Sequence, residues 1–176
     1  MSKDENSLDL IERAQAFDMA AYAKLVEIHQ RYVFCLCRKI LYDFHEAKDI
    51  SQETFIRVFK YLRSFDTKKG SFKNWLTRIA LNLCFSSIKK KKKEAVHLES
   101  IPESTGNGQG SDYGFLYPAL QELSHKDRIV MVLSLDYKIS EISKMLSCKE
   151  GTIKSRLFYA RKKLKEILKA KGYSCD

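Results

Sequence analysis

Near the carboxyl end, Ser155, Phe158, Tyr159 and Lys162 share one side of a helix predicted over Lys149–Lys169, and Lys154, Arg156, Arg161 and Lys163 run along its flanks. Cations in that position neutralise phosphates, while hydroxyls and rings can reach base edges in a major groove. The chemistry is recognition by contact, with no bond made or broken. The other side of the same helix is apolar at helical spacing: Ile153, Leu157, Ala160, Leu164 and Leu168. A basic amphipathic helix can also lie on a membrane or on another protein. What favours duplex DNA is the segment before it. Ile142, Leu146, Cys148, Ile153 and Leu157 are spaced as the inner face of a helix-turn-helix, with the turn at Ser147-Cys148-Lys149.

A second surface suits nucleic acid. On a helix predicted over Phe72–Lys92, with Leu76, Ile79, Ala80, Leu83 and Ser87 inside, the far side holds Asn74, Arg78, Asn82 and Lys89 with Leu81 and Phe85 among them. It leads into the lysine run Lys89–Lys93. Amides can bond base edges and rings can stack on unpaired bases. Trp75, with Phe65 and Phe72, stands beside a predicted break over Phe65–Ser71, where aromatics serve a core as readily as a stacking platform. A third patch, Asp49, Gln52 and Glu53, is acidic and amide-bearing. On the residues alone, a solvated helix start whose acids suit the helix dipole accounts for it.

Covalent chemistry finds no support. His29, His45, His97 and His125 share no motif, and no carboxylate cluster or metal triad lies near a basic stretch. Cys35, Cys37, Cys84, Cys148 and Cys175 form neither a CxxC pair nor a disulfide framework, and read as small buried apolar residues in a reducing compartment. No catalytic residue, metal ligand or cofactor is expected. The polar, acidic stretch Met1–Asp18 has no signal-peptide core, and the longest uncharged apolar stretch, Ile79–Ile88, is too short to span a bilayer.

The elements that carry these residues are predicted to be all helical. The 176 residues include only 2 prolines and 7 glycines. Leu25, Ile28, Tyr32, Leu36 and Ile40 form one apolar stripe; Phe55, Val58, Phe59 and Leu62 form another. Glu94 to about Gly114 holds four of the glycines and no hydrophobic period, so it reads as flexible coil with a span of roughly 25 Å. The expected architecture is two small helical domains, 8–93 and 115–171, joined by a linker over 94–114. In the second domain helices are predicted over Phe115–Leu123, Lys126–Leu135 (capped by Ser124), Ile139–Leu146 and Lys149–Lys169. The net charge of +10 is segregated: residues 61–93 carry 10 basic and 1 acidic side chain, and residues 144–176 carry 10 and 3. Two basic blocks around an acidic stretch are the footprint of a polyanion partner.

At this point the chain resembles a known family. Asp49-Ile50-Ser51-Gln52-Glu53-Thr54-Phe55-Ile56-Arg57-Val58-Phe59 is similar to the D-x-x-Q-E-x-F-x-R-V-[WF] signature of sigma factors. Phe72-Lys73-Asn74-Trp75-Leu76-Thr77-Arg78-Ile79-Ala80-Leu81-Asn82-Leu83 is similar to their F-x-x-W-L-x-R-I-A-x-N. The run Gly151–Leu164 resembles their G-T-[VI]-[KR]-S-R-[LI]-x-x-A-R-x-x-L. Three motifs in this order resemble the extracytoplasmic-function group, which keeps only the second and fourth sigma domains.

The resemblance implies a sigma factor that binds core RNA polymerase and directs promoter recognition and melting in transcription initiation, as a cytoplasmic non-enzyme that is monomeric when free. Asp49, Gln52, Glu53 and Phe55 would dock on the clamp of the beta-prime subunit, with further contact to the beta subunit. Lys73, Asn74, Trp75, Arg78, Asn82 and Lys89 would take the minus-ten element. Thr152, Lys154, Ser155, Arg156, Phe158, Tyr159 and Lys162 would read the minus-thirty-five element of promoter DNA. An anti-sigma protein is an expected partner. The alternative is a free-standing helix-turn-helix regulator. Asp136 and Ser147 stand where the family often has glycine, and Tyr159 where it often has arginine.

Overall fold

The computed structural model describes residues 3–97 and 116–173. The chain divides into two compact units, Met1–Pro102 and Glu103–Asp176. Among the described residues both are helical, without strands. The first holds α1 (Lys3–Gln15), α2 (Met19–Leu41), α3 (Phe44–Tyr61), two short 3-10 turns (Leu62–Ser64 and Thr67–Lys69) and α4 (Phe72–His97). The second holds α5 (Leu116–Gln121), α6 (His125–Leu133), α7 (Ile139–Leu146) and α8 (Glu150–Ala170).

Helix ends in the first unit are set by aspartates. The Asp18 carboxylate accepts from the Ala20 and Ala21 N–H groups at the start of α2, and Asp43 accepts from Glu46 N–H at the start of α3. Tyr42, between them, takes a left-handed conformation at φ 61° that ends α2. α1 is a helix that apolar spacing does not announce. It buries Ile11 and Ala14, and its Gln15 amide donates to the carbonyls of Leu62 and Phe65 at 2.9 and 2.8 Å.

The core of this unit corrects the two stripes in part. On α2 the buried line is Ala21, Leu25, Val33, Leu36, Cys37 and Ile40, while Ile28 is 53% exposed because it falls at the edge of that arc. On α3 the buried side chains are small: Ala47, Ser51, Thr54 and Val58. They let α3 approach its neighbours closely, and Thr54 satisfies its hydroxyl on the Ile50 carbonyl. Phe59 is thereby turned outward, edge-on to Tyr22, whose hydroxyl donates to Phe55 O at 2.6 Å. α4 packs on both α2 and α3, so its buried arc is wide. Leu81, expected outside, is fully buried, and Ile79, expected inside, is half-buried. Of the cysteines, Cys37 and Cys84 are buried as expected, and their contact together with burial pushes the Cys84 thiol far up. Cys35 is exposed, because two residues of helix turn it away from Cys37.

α4 runs to His97, past the predicted end, so residues 94–97 of the predicted linker are helical. The rest of that linker lies outside the described residues. In the second unit, Ser124 caps α6 as expected, accepting from Asp127 N–H. Ala119, Leu123, Ala160, Ile167 and Leu168 form a cluster between α5 and α8. Ile142, Met145, Ile153 and Leu157 close the α7–α8 corner. Arg128 is only 6% exposed, and its guanidinium donates to the Leu120, Gln121 and Leu123 carbonyls at the end of α5. A cation thus supplies the donors that the last carbonyls of a helix lack.

Candidate nucleic-acid interface

The α7–α8 turn is made without glycine. Ser147 adopts φ 50° and ψ 43°, and its N–H bonds to Ser143 O. The Cys148 N–H also bonds Ser143 O, and the Ser143 hydroxyl donates to Cys148 O. The Glu141 carboxylate reaches back to Lys138 N–H at the start of α7. This corner holds α8 with Ile153, Leu157 and Ala160 inward and a full ridge outward. Ser155, Phe158, Tyr159 and Lys162 are all exposed, as is Lys154; Thr152 and Arg156 are half-buried on one flank. Lys154, Arg161, Lys162 and Lys163 make no ion pair among the described residues, so their charge is available to an outside anion. An open groove beside α8 joins Ile139, Leu157 and Phe158 to Lys154, Arg161 and Lys162.

In the first unit, Ser71 Oγ accepts from Asn74 N–H and starts α4. Phe65, Phe72 and Trp75 form a ring cluster with centroids 5.0–5.9 Å apart, in which Trp75 stays half-buried. Lys73 Nζ lies 4.6 Å from the Tyr32 ring centroid, and Tyr32 shares a hydrogen bond with Thr77. His29 packs on Phe72, and burial together with the nearby Lys73 holds its pKa below the ordinary value. Arg78, Asn82 and Lys89 follow in one exposed line, with Phe85 beside them and Lys92 and Lys93 continuing it. Asn74 is half-buried at the head of that line.

Lys91 departs from the run. Its ammonium bonds Glu46 at 2.7 Å and lies 3.6 Å from Asp43, which ties α4 to the start of α3, where Ser87 also bonds Glu46. Burial works against its charge, but Glu46 and Asp43 outweigh it, and its pKa is raised. Sequence reading missed this role, and within five adjacent lysines only a distant partner could reveal it.

On α3, Asp49 and Gln52 are exposed, while Glu53 holds Arg57 at 2.8 Å. Phe55 is half-buried, and its backbone carbonyl accepts from the Tyr22 hydroxyl. Ile56, which sequence reading left out of the patch, is 64% exposed on the same side. Its signal was present as an apolar residue one turn beyond Gln52 and Glu53. Among the described residues no group of histidine, cysteine or acid could hold a metal, and no helix is long and apolar enough to cross a membrane.

Two family models match in order: Sigma-70 region 2 over residues 25–94 and Sigma-70, region 4 over residues 116–164. The ECF RNA polymerase sigma factor SigW of Bacillus subtilis (strain 168) is 30% identical over 178 residues, covering 90% of this chain and 95% of that protein. SigM of the same organism, also an ECF RNA polymerase sigma factor, is 31% identical over 155 residues, covering 80% and 93%. Among solved structures, the sigma factor RpoE of Bartonella quintana, crystallised with the anti-sigma factor NepR, matches with a TM-score of 0.71 at 22% identity. That match covers 84% of this chain and 96% of that one, and it bears on the fold.

Proposed function

The chain belongs to the extracytoplasmic-function sigma factors of RNA polymerase, which act in transcription initiation, and from that premise we propose how its two helical units divide the work. Residues 8–97 serve as sigma domain two, 115–171 as sigma domain four, and the stretch between as the linker. Asp49, Gln52, Glu53 and Phe55, joined by Ile56, dock on the beta-prime clamp. An apolar anchor among polar groups is the usual make-up of a strong contact.

Lys73, Asn74, Trp75, Arg78, Asn82 and Lys89 take the minus-ten element as it opens. Lysines there neutralise phosphates, and rings offer stacking faces to unpaired bases. Thr152, Lys154, Ser155, Arg156, Phe158, Tyr159 and Lys162 read the minus-thirty-five duplex from α8. The chain itself performs no reaction; the polymerase does, in the cytoplasm. The single observation that supports this division best is the free cationic ridge of α8 behind a helix-turn-helix corner, in a chain that also matches region 2. A free-standing regulator would leave the region-2 match without a purpose. RpoE of Bartonella quintana is held by an anti-sigma factor, and we propose that a partner of that kind covers the docking face of α3 here.

Run-off transcription with purified core polymerase, with and without the full chain, tests the reading. The expected result is promoter-directed transcript only when the chain is present. Core enzyme that neither binds the chain nor gains a start site from it would refute the proposal.

A further inference from the structure

α2 packs on α3, and between them lies an open groove of about 390 Å³, in the size range of small-ligand clefts. Two cations line it, Arg31 from α2 and Lys48 from α3. Both are exposed, and neither makes an ion pair with the described residues. Two nearby acids are engaged on their own helices, Glu27 by Lys24 and Glu53 by Arg57, each at 2.8 Å. Asp49 follows Lys48 in the chain but does not line the groove. At the floor is Ser51, only 7% exposed. Thr54, one turn on, gives its hydroxyl to the Ile50 carbonyl; Ser51 gives its own to no described residue. A hydroxyl set this deep without a partner is a donor held toward the groove. The Gln30 and Gln52 amides also line it without a described partner, and Phe34 adds an aromatic wall.

We propose that this groove holds the phosphate of a small aromatic phosphate ester, and that the bound ligand competes with polymerase for α3. The donors outnumber what a carboxylate can accept. A guanidinium, an ammonium, a hydroxyl and two amides line one groove from two helices, whereas a carboxylate offers two oxygens and a single charge. A phosphate monoester offers three terminal oxygens and nearly two charges, which match the two cations. Phe34 gives the rest of the ligand an apolar surface to lie against. Competition follows from Gln52, which lines the groove and also belongs to the docking patch; that half rests on the docking role proposed for α3.

Calorimetric titration of the full chain with phenyl phosphate at low salt tests binding without polymerase. Saturable one-site binding is expected. It should be tighter than for inorganic phosphate, which lacks the ring, and tighter than for benzoate, which has the ring but one charge on two oxygens. Arg31→Ala and Lys48→Ala should each weaken it about tenfold, and Ser51→Ala about fivefold. The two cations are exposed and serine and alanine differ little in size, so these variants fold. Lys60→Ala removes an exposed charge from α3 outside the groove and should change nothing. On a native gel, saturating phenyl phosphate should displace the wild-type chain from core enzyme but not the Lys48→Ala variant. No saturable binding, or an equal loss in Lys60→Ala, would overturn the proposal. So would a wild type that ignores phosphate while Arg31→Ala and Lys48→Ala lose core association, which would give the groove to an acidic side chain of polymerase. Binding without displacement overturns the competition. Run-off transcription that fails with wild type removes the docking role and leaves the titration standing.

Discussion

Ser147 spends its φ of 50° on the corner that aims α8. A side chain in that region costs about 1 kcal/mol relative to a right-handed conformation, and glycine does not carry the cost. Ser147→Gly is therefore expected to stabilise the second unit by about 1 kcal/mol, read as a higher thermal midpoint with duplex affinity unchanged. A lower midpoint would show that the serine side chain itself holds the turn. Gly151 poses the reverse case. It is exposed inside a helix, its φ is ordinary, and an added Cβ would meet nothing within 4 Å. Neither packing nor backbone demands glycine there, although glycine lowers helix stability. The bare Cα instead leaves room for an outside group to come close to the backbone. Gly151→Ala should melt higher and yet bind promoter duplex several-fold more weakly. Unchanged binding in a gel shift would mean that nothing approaches that surface.

The proposed docking patch of α3 and the outward ridge of α8 present opposite charge, and their variants should separate cleanly. Asp49→Ala with Glu53→Ala is expected to abolish association with core enzyme on a native gel and to leave unfolding within about 0.5 kcal/mol of wild type, as for most surface changes. Lys154→Ala is expected to keep core association and lose promoter choice. The start of α3 also makes stability depend on pH. The Glu46 N–H, together with Lys91, holds the Asp43 carboxyl below its ordinary pKa against the opposing effect of partial burial. A depressed folded value gives stability that is complete above the unfolded value, near pH 4, and is lost as pH falls through the folded one. Asp43→Ala should therefore cost about 1 kcal/mol at neutral pH, and the gap to wild type should close in acid. Denaturant melts across pH check this, and a gap that persists in acid would argue against the cap. Long periodic helices such as α4 and α8 were legible from apolar spacing. α1 was not, because it is mostly polar and is held by Gln15 reaching carbonyls 47 and 50 residues away. The face of α3 was misjudged because its buried side is small and partly polar, so the phenylalanines drew attention to the wrong arc.

Taken whole, the molecule gathers its densest cations on α4 and α8 and anchors one of them, Lys91, to Glu46, 45 residues back in the chain. The cations along the outward ridge of α8 set the salt response. Holoenzyme binding to promoter should weaken linearly in the logarithm of salt concentration, and Lys162→Ala should reduce that slope by about 1. A slope unchanged by this substitution would place Lys162 off the phosphates. The division into two units was legible from the glycine-rich stretch and the charge blocks. The sequence also offered a helix over Phe115–Leu123 at the head of the second unit, but not what ties that helix down, which is Arg128, an ordinary-looking basic residue in the sequence. Its guanidinium is sunk among the carbonyls that close α5. Any fragment cut between α5 and α6 would lose the Leu120 and Gln121 carbonyls that Arg128 holds and would uncover the apolar cluster that Ala119 helps to close. The smallest autonomous piece that reads duplex DNA therefore has to start upstream of Ala119, well before the first residue that touches it.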